Sequence, residues 1–352
     1  MDIKQMLQMA VDQKASDLHL VVGTPPILRV DGVLFPIPQM GILTPDLTTE
    51  LIKSVLVGEQ MERLTVNKEI DFGLAFSDKA RFRVNAYMQK GSWAAAFRRI
   101  PLEIPTIDGL GLPKILHNFT GIKQGLVLVT GPTGHGKSTT LAAMLNEINT
   151  THADHILTIE DPIEFVFRPI KSVVTQREMH NDTHSWSVAL RSALREDPDV
   201  VLVGEMRDFE TIAATLTVAE TGHLVFATLH TNSAAQTIDR IVDVFPEEQQ
   251  GQVRLQLSNV IEAVFSQRLV PAVPSGRTAA YEIMLGSTAI KTAIREGKTH
   301  QIDSIIQTSA EVGMRTLDTT LASLVQTGKI TVDTAQQYSL RPEELNRLIR
   351  KV

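Results

Sequence analysis

Apolar and polar residues follow one spacing before residue 100 and another after residue 125. Before residue 100, short stretches of alternating apolar and polar side chains lie between turn residues, which predicts the strands of a small sheet. Helices are predicted over about 2–14 and, after the capping sequence Thr44-Pro45-Asp46, over 46–57. The strands are predicted at 16–22, 27–30, 33–37, 71–76, 80–89 and 93–100. This pattern indicates an α+β domain over residues 1–100.

After residue 125, unbroken apolar segments alternate with helical ones, which is typical of a parallel sheet covered on both faces. These strands are predicted at 126–130, 156–159, 200–203 and 224–229. After residue 285 only helices are predicted, at 287–296, 299–309, 316–327, 331–338 and 342–350. The segment 101–113, rich in proline and glycine, is predicted to be a linker. The chain therefore divides into the domain 1–100, this linker, an α/β core over 114–285 and a helical region over 286–352.

The composition is that of an ordinary soluble globular protein, with 43% hydrophobic residues and no apolar run near the ~18 residues of a membrane span. The absence of cysteine excludes disulfides, a thiol nucleophile and zinc sites built on cysteine. The net charge is −6, and no run of basic residues marks a nucleic-acid-binding surface. The N-terminal residues include acids and no long apolar stretch, so they are not a secretory signal.

The sequence GPTGHGKS at residues 131–138 fits the phosphate-binding pattern G-x-x-x-x-G-K-[ST]. It lies between an apolar strand and a helical segment, as the motif requires. Lys137 is expected to reach the β- and γ-phosphates of ATP, and Ser138 to bind Mg²⁺. We expect His135 to face solvent between two glycines. The residues predicted to contact the nucleotide here are Gly131, Pro132, Thr133, Gly134, His135, Gly136, Lys137, Ser138 and Thr139.

Carboxylates follow two of the predicted strands. The strand DPDVVLVGE ends at Glu205, where P-loop ATPases hold the glutamate that activates the attacking water. An aspartate of the magnesium shell normally precedes that glutamate, but here the position is Gly204. The segment 158–164, TIEDPIE, follows another apolar strand. The segment contains three acids in five residues, and we predict that one of these carboxylates serves Mg²⁺ in place of the missing aspartate.

Histidines lie at both ends of the strand predicted at 224–229, within the sequence GHLVFATLHTN. A histidine at a strand end can sense a phosphate group or relay a change to a neighbouring subunit. We predict that His230 takes part in catalysis and that His223 contacts the nucleotide.

The complete P-loop and the sequences IEDPIE, DPDVVLVGE and GHLVFATLHTN occur in this order in the secretion ATPases of the type II secretion and type IV pilus superfamily. The whole chain resembles that superfamily, and SDLHL and RFRVN resemble its N-terminal PAS-like domain. The resemblance implies an α/β protein with a PAS-like α+β domain, a RecA-like P-loop ATPase domain and a helical C-terminal region. It further implies a homohexamer that binds ATP between subunits.

Three groups of residues receive a role only from this resemblance. The carboxylates of the superfamily's acidic box correspond to Glu160 and Glu164, of which one organises Mg²⁺ and the other assists catalysis, and the resemblance does not say which. Arginines of the N-terminal domain approach the γ-phosphate in this superfamily, and Arg81 and Arg83 in RFRVN, with Arg98 and Arg99, are the candidates here. The segment AIREGKTHQI resembles the AIRE segment of the branch that retracts pili. In it we expect Ile294 to pack inward and Arg295 and Glu296 to engage a partner. The predicted coupling residues are Ala293, Ile294, Arg295 and Glu296.

The AIRE segment implies a motor for type IV pilus retraction and twitching motility, working in the cytoplasm at the inner face of the bacterial inner membrane. The implied partners are an inner-membrane platform protein and, as a further candidate, an accessory retraction ATPase. No nucleic acid is expected as a partner.

Three alternatives stay open. A pilus assembly or type II secretion ATPase would share the core. Those proteins generally have an extra N-terminal domain and a four-cysteine insertion, whereas this chain starts at the SDLHL domain and has no cysteine. A nucleic-acid translocase with a RecA-like core is disfavoured by the acidic balance and the 5% aromatic content. An inactive paralogue is disfavoured by the presence of Lys137 and Glu205.

Overall fold

The computed structural model describes residues 2–30, 32–76, 80–100 and 103–350. It divides into two compact units, one formed by Met1–Glu103 with Pro162–Val166 and the other by Ile104–Asp161 with Phe167–Val352. Residues 101 and 102 of the predicted linker lie outside the described residues. None of the helices in the described ranges has the length and apolar character needed to cross a membrane.

The first unit is an antiparallel sheet of six strands with helices packed on it, which agrees with the α+β prediction. In space the strands follow the order β3-β2-β1-β6-β5-β4. Their bounds are β1 (Asp17–Leu20), β2 (Ile27–Val30), β3 (Val33–Pro36), β4 (Glu69–Phe76), β5 (Ala80–Gln89) and β6 (Ser92–Ile100). Alternate residues of β5 are buried, as expected for a strand that covers a core on one face only.

The predicted helix over 46–57 is too long at its C-terminal end, because the observed helix ends at Lys53, and a further helix that was not predicted begins at Gly58. The helices of the unit are α1 (Ile3–Asp12), α2 (Pro45–Lys53) and α3 (Gly58–Asn67). Thr44 caps α2 through a side-chain hydrogen bond to the Leu47 N–H, with Pro45 in the first turn as the sequence predicted. The chain then turns at 54–57 without a proline, so the apolar pattern alone did not show the break.

The second unit contains a seven-stranded sheet in the order β13-β12-β7-β11-β10-β8-β9. Its strands are β7 (Gly125–Thr130), β8 (His155–Glu160), β9 (Val173–Glu178), β10 (Val200–Val203), β11 (Leu224–Leu229), β12 (Ile261–Pro271) and β13 (Arg277–Leu285). The strands from β12 to β9 pair in parallel, and β13 adds an antiparallel edge. The four predicted parallel strands are present, whereas β9, β12 and β13 were missed.

Helices cover this sheet and continue to the end of the described chain. They are α4 (Ile115–Thr120), α5 (Lys137–Thr151), α6 (Trp186–Ala193), α7 (Phe209–Glu220), α8 (Ala234–Asp243), α9 (Glu247–Val260), α10 (Thr288–Arg295), α11 (Ile302–Thr308), α12 (Leu317–Gln326), α13 (Val332–Tyr338) and α14 (Pro342–Arg350). Apolar residues of α10 and α11 belong to the same buried cluster as those of the parallel strands. The sheet and these C-terminal helices therefore share one core.

Candidate nucleotide-binding and catalytic site

The P-loop joins β7 to α5 and has the backbone geometry of a phosphate-binding loop. Gly131, Gly134 and Gly136 have φ angles of 138°, 79° and 85°, which glycine adopts without strain. Helix α5 begins at Lys137, directly after the last of these glycines. The loop therefore ends at a helix N-terminus, where free N–H groups and the helix dipole favour an anion.

Lys137 is buried inside the loop that it is expected to serve. Its Nζ donates to the Gly131 carbonyl at 2.8 Å and to the Pro132 carbonyl at 3.1 Å. It also lies 3.4 Å from Nδ1 of His230, which is 3.1 Å from the Thr133 hydroxyl. The ammonium is thus placed at the centre of the loop, where phosphate oxygens would compete with carbonyls for its hydrogens.

His230 links the P-loop to Glu205. Its Nε2 lies 3.1 Å from Oε1 of Glu205, while its Nδ1 faces Lys137. Because an ammonium group can only donate, Nδ1 is the acceptor and Nε2 holds the hydrogen that faces the carboxylate. On its other side Glu205 accepts from Arg207, with 2.7 Å between Oε2 and Nη2. A continuous chain of contacts therefore runs from Lys137 to Arg207.

These contacts decide the ionisation of Glu205. Burial acts to raise its pKa, but the contacts with Arg207 and His230 outweigh burial and lower the pKa below the usual value for glutamate. The carboxylate is therefore ionised at neutral pH and able to accept a proton from water.

The order of the strands explains why these residues meet. The P-loop follows β7, His230 follows β11, Glu205 follows β10, and Glu160 is the last residue of β8. These four parallel strands are adjacent in the sheet, so their carboxyl ends form one edge. In open α/β sheets ligands bind at this edge.

Gly204, which lies where an aspartate normally precedes the glutamate, packs closely against β8. A Cβ at Gly204 would lie 3.1 Å from the Ile159 carbonyl oxygen and 3.3 Å from Cα of Glu160. Its N–H donates to the same Ile159 carbonyl at 2.9 Å. The backbone of β8 thus packs closely against Gly204, so a larger residue would need β8 to shift by a few tenths of an ångström, and β8 brings Glu160 beside this position. Glu160 is buried and accepts from the Thr158 hydroxyl at 2.8 Å and from Gln176 at 3.4 Å.

The prediction that His135 faces solvent is wrong. The side chain is half-buried, and its Nδ1 accepts from the backbone N–H of Leu269 in β12 at 2.9 Å. Burial lowers the pKa of His135, and the positive charges of Arg268, Lys137 and Arg277 lower it further. The imidazole is therefore neutral at neutral pH, as an accepting Nδ1 requires.

The two histidines that flank β11 lie at opposite ends of that strand, His223 at its amino end and His230 at its carboxyl end. His223 precedes the strand, and its Nδ1 contacts the Val218 carbonyl at 3.0 Å and the Thr221 hydroxyl at 3.1 Å. A strand of this length separates its ends by roughly 20 Å. His230 therefore lies beside the P-loop of its own chain and His223 does not, and the contact of His223 with the nucleotide stays a prediction.

Three predicted residues belong to the first unit. Glu164 lies in the segment Pro162–Val166, and Arg81 and Arg83 lie in β5. Arg83 donates to Oδ2 of Asp71 in β4 through Nε at 3.0 Å and Nη2 at 2.6 Å. The roles of all three toward ATP stay predictions.

The AIRE segment ends α10. Ala293 and Ile294 are buried in the core of the second unit, while Arg295 and Glu296 are exposed. Glu296 forms an ion pair with Lys298 at 2.7 Å. Ile294 therefore packs inward as expected, and the two charged residues are accessible to a partner.

Two residues near the reaction site were not predicted from the sequence. Arg207 lies two positions beyond Glu205, so its nearness along the chain was an available signal. Gln267 in β12 lies 130 positions beyond Lys137 and contacts the P-loop only because β12 pairs with β7.

In the described part of the chain, no group of three or more His, Asp or Glu side chains is arranged to hold a metal. Mg²⁺ in nucleotide sites takes one or two protein ligands and otherwise phosphate and water oxygens. The Ser138 hydroxyl at the end of the P-loop and the carboxylate of Glu160 fit that requirement.

A parallel sheet with a P-loop after one strand and an ionised glutamate after another defines a P-loop ATPase of the RecA-like type. The chain belongs to the type II/IV secretion system protein family, whose model matches residues 1–339. It is an ATPase of that family.

Known members cover almost the whole chain. The type IV pilus retraction ATPase PilT of Pseudomonas aeruginosa is 50% identical over 97% of this chain and 99% of its own length. A twitching motility protein of Neisseria gonorrhoeae is 45% identical over 98% of this chain and 92% of its own length. The crystal structure of the pilus retraction motor PilT with bound ADP matches with a TM-score of 0.92, at 48% identity over 99% of each chain.

Proposed function

We propose that this protein is the ATP-driven motor of type IV pilus retraction, which removes pilin subunits from the filament and so powers twitching motility. The observation that supports this most strongly is the match to a retraction ATPase over 99% of that protein's length. The contacts from Lys137 through His230 to Glu205 add a site built for ATP hydrolysis.

In the proposed reaction each residue has a separate task. The loop amides and Lys137 bind the phosphates, and Glu205 accepts a proton from the water that attacks the γ-phosphate. His230 orients Glu205 and contacts Lys137, so it connects the state of the phosphate to the catalytic carboxylate. Ser138 and Glu160 would hold Mg²⁺, which when bound neutralises charge on the β- and γ-phosphates.

The finer features of the motor are part of this proposal. The ring is a homohexamer, and Arg81 and Arg83 of one subunit act on ATP bound by another. Glu164 assists Mg²⁺ or the reaction. Exposed Arg295 and Glu296 transmit motion to an inner-membrane platform protein, so the motor works at the cytoplasmic face of that membrane.

The decisive experiment uses a deletion strain of the host with the wild-type gene, Glu205→Gln or the control Glu210→Gln returned to it. Glu210 is an exposed carboxylate in the first turn of α7 and contacts none of the site residues described above. We expect Glu205→Gln to bind ATP but to lose more than about 99% of phosphate release, because loss of a general base costs 10²–10⁴-fold. Those cells should be hyperpiliated and unable to twitch, whereas the control should restore twitching.

Two results would contradict the proposal in different ways. Substantial phosphate release by purified Glu205→Gln would remove the catalytic role of Glu205. A deletion strain without surface pili would instead assign the protein to filament assembly.

A further inference from the structure

The central part of β12 lies directly against the P-loop, although the reaction described above uses none of its residues. The strand pairs with β7 as far as Ser266 opposite Thr130, and then continues past the point where the P-loop begins. Gln267, the next residue, is 2% exposed. A buried amide needs partners for both its donor and its acceptor.

One hydrogen-bond partner of Gln267 lies in the P-loop, and the other lies in helix α5, which follows the loop. Its Nε2 donates to the His135 carbonyl at 2.6 Å, and its Oε1 accepts from the Thr140 hydroxyl at 2.6 Å. Thr140 lies in the first turn of α5, so the amide connects the loop to the helix that follows it.

The first of these bonds fixes the orientation of one peptide group. In a trans peptide the carbonyl of one residue and the N–H of the next point in opposite directions. Since the His135 carbonyl points to Gln267 in β12, the Gly136 N–H points away from β12. Phosphate-binding loops need their N–H groups turned inward and their carbonyls turned outward, because a carbonyl oxygen would repel a phosphate.

The side chain of His135 adds a second connection to the same strand. Its Nδ1 accepts from the Leu269 N–H at 2.9 Å, at a position where β12 has extended beyond β7. The residue before Gly136 is thus held through both its carbonyl and its imidazole.

Two loop glycines show how close the strand and the loop are. A Cβ on Gly131 would lie 2.2 Å from the Gln267 carbonyl oxygen, and a Cβ on Gly136 would lie 2.9 Å from Nε2 of Gln267. Real Cβ atoms do not approach other atoms this closely, so the loop has little space to shift toward β12.

We propose that Gln267, together with His135, is a positioning residue of the nucleotide site that keeps the Gly136 N–H directed at the phosphates. The proposal rests on nucleotide binding at the P-loop. It assigns to β12 a task in ATP binding rather than in stability alone.

The test compares two substitutions that each remove a buried bridging amide. Gln267→Met keeps an unbranched side chain but cannot donate to the His135 carbonyl. The matched control is Asn149→Leu at the far end of α5, where a fully buried amide donates to the Arg168 carbonyl at 2.8 Å and accepts from the Ile170 N–H at 3.0 Å. Each variant is titrated with fluorescently labelled ADP and melted without nucleotide.

We expect Gln267→Met to bind ADP about fivefold more weakly, because it loses a buried hydrogen bond to the loop and such a bond is worth about 1 kcal/mol, which corresponds to about fivefold in affinity. The KM for ATP should rise by a similar factor, while kcat changes less than about threefold because Glu205 is untouched. Asn149→Leu should lower the melting temperature without changing ADP affinity.

A second variant keeps the proposal testable if Gln267→Met does not fold. His135→Ala removes only the bond to Leu269, and we expect ADP affinity to fall about threefold. If Gln267→Met folds and its ADP affinity is unchanged, the proposal is overturned. If Gln267→Met does not fold, unchanged ADP affinity in His135→Ala overturns it. An equal loss of affinity in Asn149→Leu would overturn it too, since the effect would then follow from stability. Failure of the wild type to bind ADP would contradict the proposed function instead.

Discussion

At the scale of single residues, the central feature is a partly buried glutamate, Glu205, whose pKa is nevertheless lowered. Burial alone would favour the protonated form of Glu205, which could not accept a proton from water. Arg207 and His230 reverse this preference by contacting both carboxylate oxygens. The two contacts differ in their surroundings. His230 also contacts Lys137 of the P-loop, whereas the Arg207 side chain is largely exposed to solvent.

Arg207 should therefore control how far activity persists toward acidic pH. In Arg207→Ala the pKa of Glu205 rises toward its usual value, so we expect the acidic limb of kcat to move to higher pH. At pH 8 the carboxylate is ionised with or without Arg207, so kcat there should stay within about twofold. ATPase rates measured between pH 4.5 and 8 check this.

Arg177→Ala is the matched control for Arg207→Ala. Its guanidinium also forms an ion pair with a glutamate, Glu196, at 2.8 Å, and it makes no described contact with Glu205. The control should keep the wild-type pH profile. An acidic limb that does not move in Arg207→Ala would show that His230 alone sets the ionisation of Glu205.

At the scale of elements, a buried carboxyl group joins β13 to the start of α8. Oε1 of Glu282 accepts from the Ala234 N–H, the first of that helix, at 2.7 Å. Burial raises the pKa of Glu282 to about 7, against the effect of this hydrogen bond and of Arg341. The group is therefore about half ionised at neutral pH.

This shift makes the stability of the protein depend on pH with a definite sign. A carboxyl whose folded pKa exceeds its unfolded value stabilises the folded state below the unfolded pKa, and the benefit is lost as pH rises through the folded pKa. Between about pH 4.5 and 7 the wild type should lose up to about 3 kcal/mol of unfolding free energy from Glu282.

Glu282→Gln retains an acceptor for Ala234 and cannot ionise. We expect it to be more stable than the wild type at pH 8 and to differ little from it at pH 5, as measured by urea denaturation at both values. The exposed carboxylate variant Glu210→Gln should follow the wild type at each pH. If Glu282→Gln lost stability with rising pH as steeply as the wild type, the titration would belong to another group.

Strand β12 was not predicted from the sequence, for two physical reasons. Helix α9 ends at Val260 and β12 begins at Ile261, so no proline or glycine marks the change. The polar residues Ser266 and Gln267 interrupt the apolar run of β12. Both are buried because Thr130 of β7 provides a hydrogen-bond partner for Ser266, and His135 and Thr140 provide partners for Gln267. A local pattern cannot show that compensation, since it depends on residues far away in the chain.

The residues of the candidate site also fall into two groups, those that a local sequence pattern identifies and those that depend on distant contacts. The P-loop is contiguous, so its identity and its glycine geometry follow from eight residues. Glu205 was found because the end of its apolar strand marks it. His135 and Gln267 were misjudged or missed because their partners lie on β12, which approaches the loop only in the folded sheet. These contacts between β12 and the P-loop depend on the order of the strands in the sheet, which a local sequence pattern does not reveal.

At the scale of the whole molecule, the C-terminal helices are continuous with the ATPase core. Ile290 and Ile294 of α10 belong to the same buried cluster as Val264 of β12 and Met284 of β13. Because packed cores do not deform continuously, we expect a shift of these strands to be passed to α10 rather than absorbed. The exposed end of α10 is therefore well placed to report the state of the ATPase sheet.

The last prediction tests whether that exposed end delivers the motion. An Arg295→Ala/Glu296→Ala protein keeps the buried Ala293 and Ile294, so it should fold and hydrolyse ATP within about twofold of the wild type. We expect cells with this variant to lose twitching, because the charged groups that we propose to engage the partner are absent. The control Lys298→Ala removes the ion-pair partner of Glu296 and leaves both tested side chains in place. Normal twitching by the double variant would exclude this surface as the site of coupling, whereas loss of ATP hydrolysis would place these residues in the ATPase itself.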